Sequence, residues 1–191
     1  MGKNIVGMDF HLEKLKLLMN IELNVVHVVG IYGIGKTIIA KAVYNDISHQ
    51  FDGSNFLNNV RERPKDNALQ LQQKLLHGIL KGKSLKVSDK DEGIQTIKRS
   101  LSSKRVLVVF DDMDDLVQLE NLAEEHSWFG PGSRIIITTR HKHFLIQYGV
   151  KESYEVQKLH DEEAIELSSY LVGGLSNKIF LTKFIKISPT E

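Results

Sequence analysis

Cysteine is absent from the 191 residues. That excludes a disulfide framework and any site built on thiolate metal ligands. No Asn-x-Ser/Thr triplet offers a glycosylation acceptor. No apolar run approaches the roughly 20 residues a membrane-spanning helix needs. The opening stretch from Met1 to Leu15 lacks the apolar centre of a secretory leader. Met1-Gly2 begins like an acylation signal, but Val6 stands where Ser or Thr is required. Charge of one sign is missing too. Lys and Arg number 25 against 24 Asp and Glu, a net charge of +1, without a like-charged block. A nucleic-acid partner is therefore not expected, since its electrostatic footprint is a basic face. Tyr154, Phe180 and Phe184 likewise lack the basic interleaving of a base-stacking surface. There is no internal repeat and no low-complexity segment. A cytoplasmic globular chain is the expectation, 41% hydrophobic and 26% charged and long enough for one full domain and part of another.

Apolar periodicity divides that chain into alternating strands and helices. Asp9 to Met19 carries Leu12, Leu15, Leu18 and Met19 on one helical face. Val25 to Gly30, Arg105 to Phe110 and Ser133 to Thr139 are continuous apolar runs, as strands buried on both faces should be. Helices are expected over Thr37 to Ser48, Ala68 to Leu80, Glu92 to Leu101, Leu116 to Glu124 and Lys142 to Tyr148. Shorter strands are expected over Ser54 to Val60 and Ser153 to Val156, and a last helix over Asp161 to Leu171. This alternation predicts an α/β fold with a parallel sheet covered on both faces.

One segment carries chemistry in the context that chemistry requires. Gly30-Ile31-Tyr32-Gly33-Ile34-Gly35-Lys36-Thr37 matches the phosphate-loop pattern G-x-x-x-x-G-K-[ST], with a strand before it and a helix after. Glycines allow the tight turn that brings backbone N–H groups onto phosphate oxygens, and the helix start adds its positive dipole end. Gly30, Gly33, Ile34, Gly35, Lys36 and Thr37 are the phosphate-binding candidates. Lys36 would reach the β/γ-phosphates, and the Thr37 hydroxyl would ligate Mg²⁺. The plain alternative is a glycine-rich βα turn that binds nothing.

About seventy residues on, Val106-Leu107-Val108-Val109-Phe110 ends in Asp111-Asp112. A nucleotide–Mg²⁺ complex needs a carboxylate at a strand's carboxyl end beside the phosphate loop. Asp111 is the candidate for the Mg²⁺ shell, and Asp112 for orienting or deprotonating an attacking water. Asp114 and Asp115 follow, so a solvated acidic turn is the competing reading. The apolar run after Arg134 ends in Thr138-Thr139-Arg140 at the same sheet edge. Arg140 could report a γ-phosphate by charge-assisted hydrogen bonding, or simply cap the strand. His141 and His143 lack a third ligand for a metal.

These residues resemble a known family, the NB-ARC domain of plant disease-resistance NLR proteins of the TIR-NBS-LRR class. The resemblance rests on Ile5-Val6-Gly7-Met8-Asp9, on Lys36-Thr37 through Ala40-Lys41-Ala42-Val43-Tyr44-Asn45, and on Phe51 to Leu57 with Val60-Arg61-Glu62. It continues through Val108 to Asp114, Trp128 to Ser133 with Thr138-Thr139-Arg140, and Tyr154-Glu155-Val156 before Asp161 to Ala164. It implies a P-loop NTPase three-layer fold with a five-stranded parallel sheet, followed by a truncated helical ARC segment. Domain bounds on this basis are 1–157 for the nucleotide-binding domain, 158–172 for the start of the ARC region and 173–191 for a divergent tail. The resemblance implies a switch that binds ADP or ATP with Mg²⁺ in immune signalling. Hydrolysis would be slow or absent, and Val6 and Gly7 would lie near the adenine. Other resistance-protein domains or full-length NLR chains are the implied partners, and a cytoplasmic location with a nuclear pool is compatible. A non-binding interaction fragment is the alternative function. A nucleotide kinase is disfavoured because the lid and arginines around two phosphate acceptors are missing. The sequence departs from the family in the loop, which reads as shortened by three residues with Tyr32 drawn into the cradle, and Ile38 replaces a second Thr.

Overall fold

The structure, a computed structural model, describes residues 6–62, 68–81 and 87–156. Chain order runs α1 (Val6–Met19), β1 (His27–Gly33), α2 (Lys36–Ile47), β2 (Gly53–Leu57), α3 (Ala68–Ile79) and α4 (Lys90–Leu101). It continues through β3 (Val106–Phe110), α5 (Leu116–Ala123), β4 (Arg134–Thr139), α6 (Lys142–Tyr148) and β5 (Glu152–Val156). Short 3-10 turns lie at Ser48–Gln50, Val60–Glu62 and His126–Trp128. The strands form one sheet in the order β2-β3-β4-β1-β5, and every pairing is parallel. Parallel pairing demands crossovers, and the helices supply them while covering both faces. The predicted five-stranded three-layer architecture is the one observed.

Alternation along the strands assigns the faces. Val29, Ile31, Leu107, Val109 and Ile136 pack against Leu15 and Met19 of α1 and Ile39, Val43 and Ile47 of α2. Val28, Val106, Val108, Phe110, Ile135 and Ile137 point the other way, into α3, α4, α5 and α6. β3 is buried at every position. Each such aliphatic or aromatic side chain contributes about 1.5–3 kcal/mol.

Polar groups fix the ends. Asp89 and Asp115 cap α4 and α5, each accepting two backbone N–H groups. Arg134 is fully buried and clamps the end of α1 and the segment after it. Its Nε donates to the Met19 carbonyl at 2.6 Å, and Nη1 to those of Val25 and Ser133, each at 2.8 Å. Nη2 donates to the carbonyls of Leu23, at 2.9 Å, and Asn20.

Several boundaries differ from the sequence expectation. α1 begins at Val6 rather than Asp9, and β2 ends at Leu57 rather than Val60 because Asn59 turns the chain with φ 50°. β1 starts two residues later than expected and runs three residues further, to Gly33. Its partners on both sides hold it in register that far, from Tyr32 opposite Thr139 in β4 to Gly33 opposite Val156 in β5. The expected helix over Asp161 to Leu171, the domain boundaries at 157/158 and 172/173, and the tail lie outside the described residues.

Candidate functional site

The carboxyl ends of β1, β3 and β4 converge on one spot beside the start of α2. Because β1 runs to Gly33, only Ile34 and Gly35 connect it to α2. Gly33 adopts φ 101°, and a Cβ there would stand 2.7 Å from the Val156 carbonyl oxygen. Gly35 adopts φ 87°, a left-handed conformation that L side chains disfavour. As N-cap of α2 it offers no side-chain acceptor to the helix's opening N–H groups. The turn exposes Ile34 at 63%.

Lys36 and Thr37 open α2 and reach the two carboxylates after β3. Lys36 Nζ lies 3.3 Å from Asp112 Oδ1. Thr37 Oγ1 donates to Asp111 Oδ1 at 2.7 Å, and Thr138 Oγ1 donates to the same oxygen at 2.8 Å. Thr138 Oγ1 also accepts the Asp112 backbone N–H at 2.9 Å, tying the end of β4 to the turn after β3. Asp111 is fully buried, and its Oδ2 has no hydrogen-bond partner. A buried carboxylate oxygen left unsatisfied is costly, and an oxygen-seeking cation such as Mg²⁺ suits it.

Asp112 occupies the centre. Its φ is 57°, unusual for a residue with a Cβ although Asp tolerates it better than most. Arg61 Nε approaches Oδ2 at 3.1 Å, while Lys36 at 3.3 Å and Arg140 Nε at 3.4 Å approach Oδ1. Arg61 also lies 3.7 Å from Asp114. Burial pushes the Asp112 carboxyl upward, but Lys36, Arg140 and Arg61 outweigh it and hold it below its ordinary value. The arrangement is a carboxylate gripped from both oxygens by three cations, next to a helix start.

Of the expected site residues, the structure brings Lys36, Thr37, Asp111, Asp112 and Arg140 together, with Gly33, Ile34 and Gly35 forming the adjoining turn. Gly30 is not brought there. It lies inside β1 between Ile137 and Ser153, and Leu145 of α6 fills the space a side chain would take, with Cδ1 2.4 Å from an ideal Cβ. Tyr32, expected in the cradle, is likewise a strand residue. It packs into the core layer opposite α2, donates its hydroxyl to Glu155 at 3.0 Å, and carries Lys142 Nζ 5.5 Å from its ring centroid. Val6 and Gly7 form the first turn of α1. Arg61 was not expected. Its role depends on β2 lying beside β3, which puts the turn after β2 against Asp112, and no local pattern signals that.

A family model described as the NB-ARC domain matches residues 9–177. Disease resistance protein RPV1 of Vitis rotundifolia is 46% identical over 173 residues, 88% of this chain and 12% of that protein. TMV resistance protein N of Nicotiana glutinosa is 42% identical over 175 residues, 86% of this chain and 15% of that protein. The chain thus spans less than a sixth of either relative. Among solved structures, a chain of Drosophila ORC bound to GC-rich DNA and Cdc6 superposes with a TM-score of 0.52 at 8% identity. That match covers 93% of this chain and 70% of the other, a likeness of fold alone. No helix among the described residues is long and apolar enough to cross a membrane.

Proposed function

The chain belongs to the NB-ARC domain family, and on that premise we propose that it binds ADP or ATP with Mg²⁺ as the nucleotide module of a disease-resistance receptor. The observation that carries the reading is the convergence of Lys36, Arg61 and Arg140 on Asp112 beside the Thr37–Asp111 pair. Three cations at the open start of a helix suit a polyphosphate. Mg²⁺, when bound, would supply positive charge that neutralises the phosphates. Thr37 and Asp111 would hold it, the latter through its unpartnered Oδ2. Among the described residues no group of three or more His, Asp or Glu gathers around a metal position.

Hydrolysis is slow or absent in this reading. A general base needs a pKa near the working pH, and Asp112 is held below the ordinary carboxylate range by the cations around it. Lys36, Arg61 and Arg140 position phosphates, and Asp112 holds those cations in place. A cytoplasmic setting and partners among other resistance-protein domains belong to the same proposal. One observation favours a second reading, a non-binding interaction fragment: the two-residue turn between β1 and α2 offers far less backbone than a phosphate loop requires.

Thermal denaturation separates the two. Excess Mg²⁺–ADP at ~100 times its dissociation constant stabilises a binding chain by about 2.7 kcal/mol. In a domain of this size that is a rise in Tm of roughly 5–11 °C. Lys36→Ala should keep the fold and lose most of the rise. A wild-type melt unmoved by millimolar nucleotide leaves the interaction fragment as the reading.

A further inference from the structure

Granting that this cluster binds phosphates, we propose that it recognises a diphosphate group alone: Mg²⁺–pyrophosphate, or the diphosphate end of any nucleotide irrespective of its nucleoside, with Arg61 a phosphate-contacting residue. Three independent features lead there.

The first is the backbone. A phosphate loop wraps the inner phosphates with N–H groups drawn from several residues between strand and helix. Here Ile34 and Gly35 are the whole connection, and the N–H groups of Ile38 and Ile39 are already donated to the Gly35 carbonyl. β1 cannot readily yield more loop. Tyr32 and Gly33 are paired to neighbouring strands, and Leu145 is packed onto Gly30. What survives is the helix start and the side chains that meet terminal phosphates.

The second is charge. Lys36, Arg61 and Arg140 oppose Asp111, Asp112 and Asp114, which leaves the cluster neutral before a metal binds. Mg²⁺ raises that to two positive charges, which favours an anionic diphosphate and answers to nothing on a neutral nucleoside. Arg61 enters from the 3-10 turn after β2 and reaches the oxygen of Asp112 that Lys36 and Arg140 do not. A planar guanidinium there supplies donors suited to phosphate oxygens in place of the missing backbone.

The third is the flank. Met8 and Leu12 of α1 pack with Ile38 and Ala42 of α2, so the seam leading from the turn is apolar. His11, further along α1, is buried and bonded to Tyr154. Among the described residues, the Met8, Leu12, Ile38 and Ala42 side chains that line this seam offer no hydrogen bond to a base, and specificity for one base requires such bonds.

Calorimetric titration of the whole chain in Mg²⁺ with pyrophosphate, ADP, GDP and adenosine tests the proposal. Pyrophosphate, ADP and GDP should bind within about threefold of one another, and adenosine should not compete. Arg61→Gln should weaken all three diphosphates by roughly tenfold or more, and Arg61→Lys should recover part of the loss. If Arg61→Gln does not fold, as judged by circular dichroism, the Arg61→Lys series decides. ADP binding at least about tenfold tighter than both pyrophosphate and GDP overturns the proposal while leaving the nucleotide reading intact. Unchanged affinity in both Arg61 variants removes Arg61 from the site. Binding of none of the ligands defeats the nucleotide reading itself, and this proposal with it.

Discussion

Gly30 occupies the first glycine position of the phosphate-loop pattern, yet it sits in the middle of β1, where its lack of a side chain serves packing. Gly30→Ala tests that assignment. The added methyl would lie 2.4 Å from Leu145 Cδ1, 2.8 Å from Cδ2 and 3.0 Å from Cγ. Leu145 is 1% exposed within the layer formed by α3, α4, α5 and α6, so it cannot move aside without disturbing its neighbours. Overpacking of this kind costs about 1–3 kcal/mol. Relief of glycine's entropic penalty in a strand returns up to about 1 kcal/mol. A net loss of roughly 1–2 kcal/mol corresponds to a fall in Tm of about 2–8 °C for a domain of this size. Leu145→Ala alone should cost about 2–5 kcal/mol through its cavity. The double variant should be more stable than the sum of the two by roughly 1–2 kcal/mol, because the new methyl fills part of the vacated space. Chemical denaturation of the four proteins measures the coupling, with Mg²⁺–ADP titrations run in parallel. Strict additivity, or a Gly30→Ala variant that melts normally but binds nucleotide poorly, would refute the packing assignment and return Gly30 to the phosphate site.

The acid limb of stability should depend on Asp112. Its folded pKa is depressed, so its contribution is present above the unfolded value of about 3.9 and lost as pH falls through the folded value. Asp112→Asn should flatten the stability profile in that acid window. At the alkaline end, burial first, with Glu120 and Glu124 adding repulsion, pushes the Tyr148 phenol up to about 12. Its stabilising contribution is complete below the unfolded value of about 10 and disappears as pH rises towards 12. Tyr148→Phe should lose the hydrogen bond to the Ala123 carbonyl and, with it, that alkaline slope in equilibrium unfolding. Arg134→Lys should lower stability by roughly 3 kcal/mol or more, because a single ammonium cannot serve five carbonyls and buried acceptors are left unsatisfied. A three-residue Gly-rich insertion between Gly33 and Lys36 should raise ADP affinity by about tenfold in calorimetry by restoring backbone donors to the turn.

The sheet was legible because its inner strands are unbroken aliphatic runs. Val106 to Phe110 and Arg134 to Thr139 have no period-2 alternation, and only burial on both faces explains that. Asp111, Asp112 and Arg140 were legible for the same reason, since the end of a buried parallel strand is where polar side chains first meet solvent or ligand. β1 was misjudged at its carboxyl end. Gly30 and Gly33 read locally as turn residues, whereas pairing to β4 and β5 on both sides overrides local preference. The eight-residue motif therefore overstates the loop, because its first four residues are strand. Arg61 and Arg134 escaped for a different reason. Each answers to groups distant in sequence, Arg61 to Asp112 and Arg134 to the end of α1, and an isolated arginine carries no local mark of burial or partner.

In the proposed reading, Lys36, Thr37, Arg61, Asp111 and Arg140 bind phosphates through Mg²⁺ despite the two-residue turn. Isothermal calorimetry of ADP against the whole chain tests it most directly, once with Mg²⁺ and once with the metal chelated. Saturable binding is expected with Mg²⁺ at a dissociation constant on the order of micromolar to millimolar, weakened at least about tenfold on chelation. Absence of heat under both conditions, or an affinity indifferent to Mg²⁺, would contradict it.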